Sequence, residues 1–197
     1  LYPEEIRLIS RYARLMAAGS GTHVKFSIIT NGTRLDSETC ELLADLEAQV
    51  TISLDGPPEW NDQARPAKGK SQSSTAMTVA GLENLQKVRS RLNLLTFNTV
   101  FIEGSDLLQN YRYLRQWKPD AINFIYDLKG DEQRLNQAYL TQMKAVLNEA
   151  WLTGGAEELR RISPFASYLS ALERQARKLN HCGAGRAPAA VSPRRPK

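Results

Sequence analysis

Residues 26–65 read FSIITNGTRLDSETCELLADLEAQVTISLDGPPEWNDQAR, and the fold is decided there. A short apolar run, VKFSII at 24–29, leads into Thr30-Asn31-Gly32. A helical stretch follows, then a second run, QVTISL at 49–54, which ends in Ser53-Leu54-Asp55-Gly56-Pro57. Arg65 returns at the far side of the next polar loop. Strand, helix and strand joined by short links make a right-handed βαβ unit with parallel strands. In such folds ligands sit just beyond the carboxyl ends of the strands. Two neighbouring strands that both end in small polar residues and a glycine therefore describe the rim of a binding site. Asn, Asp, Gly and Pro also punctuate ordinary turns, so the residues alone leave both readings open.

Outward from this unit the pattern repeats. LNLLTFNTVFI at 92–102 and AINFIY at 121–126 are two further strand candidates. The runs at 24–29, 49–54 and 121–126 are rich in apolar and β-branched residues, as parallel strands covered on both faces tend to be. Asp36 or Ser37 caps the first crossover helix. The next carries Val79, Leu82, Leu85 and Val88 at helical spacing. A third, SDLLQNYRYLRQW, offers Ser105 as its N-cap and ends before Lys118-Pro119. LYPEEIRLISRYARLMAAG opens the chain as an amphipathic helix with Pro3 in its first turn. After the fourth strand a long helix is expected over 132–151, broken at Gly154-Gly155, with a shorter one over 164–178. The expected class is α/β: a partial parallel (β/α) barrel of four βα units, then a helical extension.

Composition sets the broad class. The chain has 197 residues, 42% hydrophobic and 24% charged, which suits a soluble globular protein with one full core. No apolar run reaches the twenty or so residues of a membrane span, and no signal peptide opens the chain. The formal charge is +5, but Arg186, Arg194, Arg195 and Lys197 cluster in the last twelve residues, where no acidic residue balances them. Elsewhere both signs mix on helix faces, which argues against a dedicated nucleic-acid surface. Two cysteines, Cys40 and Cys182, exclude a disulfide framework and suit a reducing cytoplasm. His23 and His181 are scattered relative to them, so no zinc spacing arises.

The rim suits a small zwitterionic or anionic ligand. Ser53 and Asp55 are two apart on a strand and share a face. Arg65 can clamp a carboxylate or phosphate with its fork of donors, and Asn31 offers an amide. KGKS at 68–71 lacks the earlier glycine of a phosphate-binding loop, where Ala64 stands, and follows no strand. Two histidines assemble no nucleophilic triad. Asp62, Asp127 and Asp131 are candidate acids near the rim, though solvated loop carboxylates are the preferred reading, and Cys40 is read as a structural thiol.

ITNGTRL, VTISLDGPPEWNDQARP, a Gly/Ser-rich loop and a helix containing AGLENL together resemble the radical S-adenosylmethionine enzymes. The branch is the one with a SPASM-type C-terminal domain: sulfatase-maturating enzymes and ribosomal-peptide maturases. The resemblance runs to Gly185, where Cys182-Gly183-Ala184-Gly185 is similar to the opening of the SPASM segment. It implies that Ser53 and Arg65 hold the carboxylate of S-adenosylmethionine, that Asn31 and Asp55 shape the adjoining rim, and that Leu128 is an apolar contact to the adenine. Cys182 would be a ligand of an auxiliary iron–sulfur cluster. The implied reaction cleaves S-adenosylmethionine at a [4Fe–4S] cluster to a 5′-deoxyadenosyl radical, which abstracts hydrogen from a peptide or protein substrate. Flavodoxin or ferredoxin would be the reductant.

The departures are equally specific. The CxxxCxxC loop that binds the catalytic cluster is absent, as is the GGEP-type strand that usually precedes LYPEEI. After CGAG the chain runs into APAAVSPRRPK, which reads as a truncated end. The chain is therefore expected to be a fragment of a cytoplasmic maturase: a partial core over 1–130, a helical bridging region over 131–180, and a truncated SPASM start with a disordered tail over 181–197. By itself it is expected to be inactive. The alternative is a non-catalytic α/β binding module that keeps the rim without the cluster.

Overall fold

The computed structural model describes residues 1–67, 73–102, 104–126 and 132–173, the side chains of 132–135 excepted. Leu128, Asp127, Asp131, KGKS, His181, Cys182 and the tail lie outside the described residues.

The fold is α/β, with one five-stranded parallel sheet in the order β1 (Ser27–Thr30), β2 (Gln49–Ser53), β3 (Leu94–Phe101), β4 (Ala121–Tyr126), β5 (Ile162–Ser163). Four strands fall on the four expected apolar runs. The fifth, not expected from the sequence, is two residues long and too short to carry any periodicity. It is tied in where Ile122 N–H donates to the Arg161 carbonyl at 2.7 Å.

Helix α1 (Pro3–Ala18) precedes β1, and α2 (Ser37–Asp45) links β1 to β2. Helices α3 (Pro58–Ala64) and α4 (Ser74–Lys87), with a 3₁₀ turn at Arg89–Arg91, link β2 to β3. Helix α5 (Leu107–Arg115) links β3 to β4, α6 (Glu132–Leu159) links β4 to β5, and α7 (Phe165–Glu173) follows. Side chains alternate along β2 and β3, one set fully buried and the other half-exposed. Val50, Ile52, Leu95, Phe97 and Ile122 pack on Leu43, Leu82, Leu85, Leu114 and Val146 of the helices. The expectation of strands covered on both faces does not hold for the described residues. On the other face Ile29 is 68% exposed and Ile125 42%. Ser53, Asn98, Asn123 and Ser163 stand in register across that face, and Asn123 donates to Asn98 at 2.8 Å.

Local signals explain the helix starts. Asp36 caps α2 by accepting from Thr39 N–H at 2.8 Å. Asp106, not Ser105, caps α5, accepting from Leu108 and Gln109 N–H. Ser105 turns back instead, and its hydroxyl donates to the Ile102 carbonyl at 2.8 Å. The polar loop expected before Arg65 is the helix α3, with Pro58 in its first turn, where a missing N–H costs nothing. The expected break at Gly154-Gly155 falls at Gly155 alone (φ 61°), and α6 resumes to Leu159. Helix α1 packs beside α2, with Arg7 donating to Glu38 at 2.8 Å, while Leu8, Ile9, Tyr12, Leu15 and Met16 stay exposed. Among the described residues no helix is long and apolar enough to cross a membrane.

Candidate functional site

A cavity of about 400 Å³ opens beyond the carboxyl ends of β1 and β2, against the first turns of α4. Asn31, Ser53 and Arg65 line it together, as do Arg34, Met77 and Thr78. Asn31 and Ser53 lie far apart in the chain and meet here because parallel strands deliver their carboxyl ends to one edge, and α3 ends at Arg65 beside them.

The Asn31–Gly32 turn forms the wall beside β1. The Asn31 carboxamide oxygen accepts from the Thr33 hydroxyl at 3.0 Å and from Thr33 N–H at 3.3 Å, which leaves its NH₂ without a partner among the described residues. Gly32 sits at φ +78°, where a side chain would be strained. Helix α4 locks the turn: Thr78 hydroxyl donates to the Asn31 carbonyl at 2.8 Å. Gly81 allows this approach, because a Cβ there would stand 2.2 Å from the Gly32 carbonyl oxygen. AGLENL is therefore a packing motif, and its glycine fits against the turn.

Ser53 makes no side-chain hydrogen bond among the described residues, so its hydroxyl is available in the cavity. Asp55 is placed differently. It is only 6% exposed and does not line the cavity. Its carboxylate accepts from Arg65 Nε at 2.6 Å and from an Arg65 terminal nitrogen at 3.2 Å, and also from Val100 N–H at 2.8 Å. Asp55 thus stands behind Arg65 rather than on the rim, and the shared face expected for Ser53 and Asp55 ends where β2 stops at Ser53.

Helices α3 and α4 are bolted together beneath the arginine. Asn61, 1% exposed, accepts from Asp55 N–H at 3.0 Å and donates to the Thr75 hydroxyl at 2.9 Å. Asp62 is not the solvated loop carboxylate expected. It accepts from the Ser74 hydroxyl at 2.9 Å and from both Thr75 N–H and hydroxyl at 2.7 Å. Partial burial pushes its carboxyl up, but the hydrogen bonds from Ser73, Thr75 and Ser74 outweigh that and bring it down to about 2.

Sequence reasoning missed Arg34, Asn61 and Thr78 as parts of this site, and set Asp62 near the rim only as its second reading. For Asn61 and Asp62 the available signal was Pro57-Pro58, a helix start that turns a polar loop into an ordered element. Thr78 carried no signal, since its role depends on how closely α4 approaches the turn.

No protein-family model matches the sequence. Among solved structures, the chain is similar to a histidine-tagged anSMEcpe with bound AdoMet: TM-score 0.70, 17% identity, covering 85% of this chain and 47% of that one. Native anSMEcpe with bound AdoMet and Kp18Cys peptide matches at TM-score 0.69 and 17% identity, over 85% of this chain and 49% of that one. What these matches share with the chain is the fold, a parallel α/β sheet of partial-barrel type. This chain spans about half the length of those structures.

The donor set does not fit an iron–sulfur cluster within the described residues. No group of three or more His, Cys, Asp or Glu side chains converges there. Cys40, the described cysteine, is 1% exposed in the core, and burial pushes its thiol up to about 11. Thiolate clusters take about four deprotonated cysteines. The S-adenosylmethionine that the resemblance in sequence implies is a different matter. The cavity has a suitable size, and its free hydroxyl, free carboxamide NH₂ and arginine suit the amino-acid end of that molecule.

Proposed function

We propose that this chain is the S-adenosylmethionine-holding part of a maturase that modifies a peptide or protein side chain. One observation carries the reading: Asn31, Ser53 and Arg65 converge on one cavity at the strand ends. The similarity in fold to anSMEcpe, whose structures bear bound AdoMet and a bound peptide, supports it. When bound with its cluster, S-adenosylmethionine supplies the radical chemistry; what the residues here contribute is binding and orientation. Arg65 and Ser53 hold the carboxylate through N–H and O–H donors, fixing one end of the ligand. The Asn31 NH₂ donates to an acceptor on the neighbouring side. Helix α4 forms one wall of the cavity through Ser74, Met77 and Thr78. Leu128 as the adenine contact, Cys182 as an auxiliary cluster ligand, a peptide substrate and a flavodoxin or ferredoxin reductant belong to the same proposal.

The test is calorimetric titration of the chain with S-adenosylhomocysteine, beside Ser53→Ala and Arg65→Ala. Saturable binding that weakens in both variants is the expected result. Equal binding by wild type and Arg65→Ala would place the ligand elsewhere and overturn the reading.

A further inference from the structure

The two arginines of the cavity differ in charge balance. Arg65 is already matched: Asp55 engages its Nε and one terminal nitrogen from behind, in a bidentate pair with a largely buried carboxylate. A carboxylate ligand therefore gains directional hydrogen bonds from the remaining N–H groups of Arg65, while the attraction of its charge is largely cancelled by Asp55. Arg34 is the other charged residue among the described residues lining the cavity. Among the described residues no carboxylate lies within ion-pair distance of it, and its guanidinium lies 5.7 Å from the centre of the Tyr2 ring. Hydrogen bonds from Thr39 at the α2 cap are what chiefly lower the Asp36 carboxyl; the nearby Arg34 charge adds a smaller effect in the same direction.

We propose that Arg34 is a second anion-recognising residue of this cavity, supplying the unmatched positive charge for the carboxylate end of the ligand that Arg65 and Ser53 orient. Three features support it: its place on the cavity wall, the lack of an acidic partner among the described residues, and the neutralisation of the neighbouring arginine. The cavity is then electropositive through a residue of the Asn31–Gly32 turn, and the first turn of α4 on the same wall adds the positive end of its dipole. This inference rests on the S-adenosylmethionine reading and adds a residue to it.

The test compares two probes, S-adenosylhomocysteine, which carries the carboxylate, and methylthioadenosine, which lacks the whole amino-acid end. Arg34→Gln is expected to weaken S-adenosylhomocysteine binding ~5- to 10-fold, the loss of one charge-assisted contact. Methylthioadenosine affinity should stay at the wild-type value. Arg34→Lys, which keeps the charge, should restore most of the lost affinity, and the salt dependence of S-adenosylhomocysteine binding should flatten in Arg34→Gln alone. Wild-type S-adenosylhomocysteine binding by Arg34→Gln, with loss in Arg65→Ala, would overturn the role of Arg34 and leave the site reading standing. Equal weakening of both probes by Arg34→Gln would also overturn it. Failure of the wild-type chain to bind either probe would overturn the site reading and this inference together.

Discussion

Asp62 is the fastening between α3 and α4, and replacing it with asparagine isolates the worth of its charge. The side chain keeps its shape and one acceptor oxygen, but the ionised partner of the Ser74 and Thr75 donors is gone. The carboxyl is lowered from an ordinary 3.8 to about 2. That difference corresponds to about 2 kcal/mol of folding stability at neutral pH. The folded carboxyl titrates below the unfolded one. Its contribution is therefore complete above about pH 4 and is lost as the pH falls toward 2, with about half remaining at pH 3. Urea denaturation of wild type and Asp62→Asn at pH 7, 5, 4 and 3 reads this directly. The expected gap is about 2 kcal/mol at pH 7, unchanged at pH 5 and roughly halved at pH 3. A gap that does not change between pH 5 and pH 3 would refute the reasoning, because the loss would then be steric rather than electrostatic.

Other outcomes follow from single contacts. Gly81→Ala places a Cβ 2.2 Å from the Gly32 carbonyl, so α4 must shift off the turn. A loss of about 1–3 kcal/mol in urea denaturation is expected, against a gain of up to ~1 kcal/mol if helix propensity alone decided. The Cys40 thiol, buried and pushed up to about 11, should resist a maleimide at pH 7.5 in a Cys182→Ser variant and react fully in denaturant. Rapid labelling of the folded protein would contradict its burial. Asp106→Ala removes the cap that accepts from Leu108 and Gln109, with about 1 kcal/mol of stability lost, while Ser105→Ala leaves α5 capped. Equal losses in the two variants would contradict this assignment.

The sheet was legible because its strands announce themselves in different ways. VTISL and AINFIY are dense in β-branched and apolar residues, and each ends in turn chemistry. Ile162–Ser163 has no such density; it is a strand only because Gly155 redirects α6 and brings Arg161 to the edge of β4. The rim was legible in Asn31 and Ser53, at the ends of β1 and β2, and in Arg65, which closes α3. Asp55 was recognisable as belonging to the site but not its direction, since β2 ends at Ser53 and the next residues turn their side chains toward α3 and β3. Arg34 was invisible as a site residue because its significance is relative: it depends on Asp55 having already answered Arg65, and charge balance in a cavity is not encoded by spacing. Asp62 was misread for a similar reason. A carboxylate between two predicted elements looks solvated until α3 is known to be a helix that carries it to the start of α4.

The most direct measurement is a crystal structure of the chain soaked with S-adenosylhomocysteine. The account predicts difference density in the cavity between Asn31 and Arg65, with the carboxylate against Ser53 and the N–H groups of Arg65 that Asp55 leaves free. Ligand density at another place, or a carboxylate directed away from Ser53 and Arg65, would contradict it.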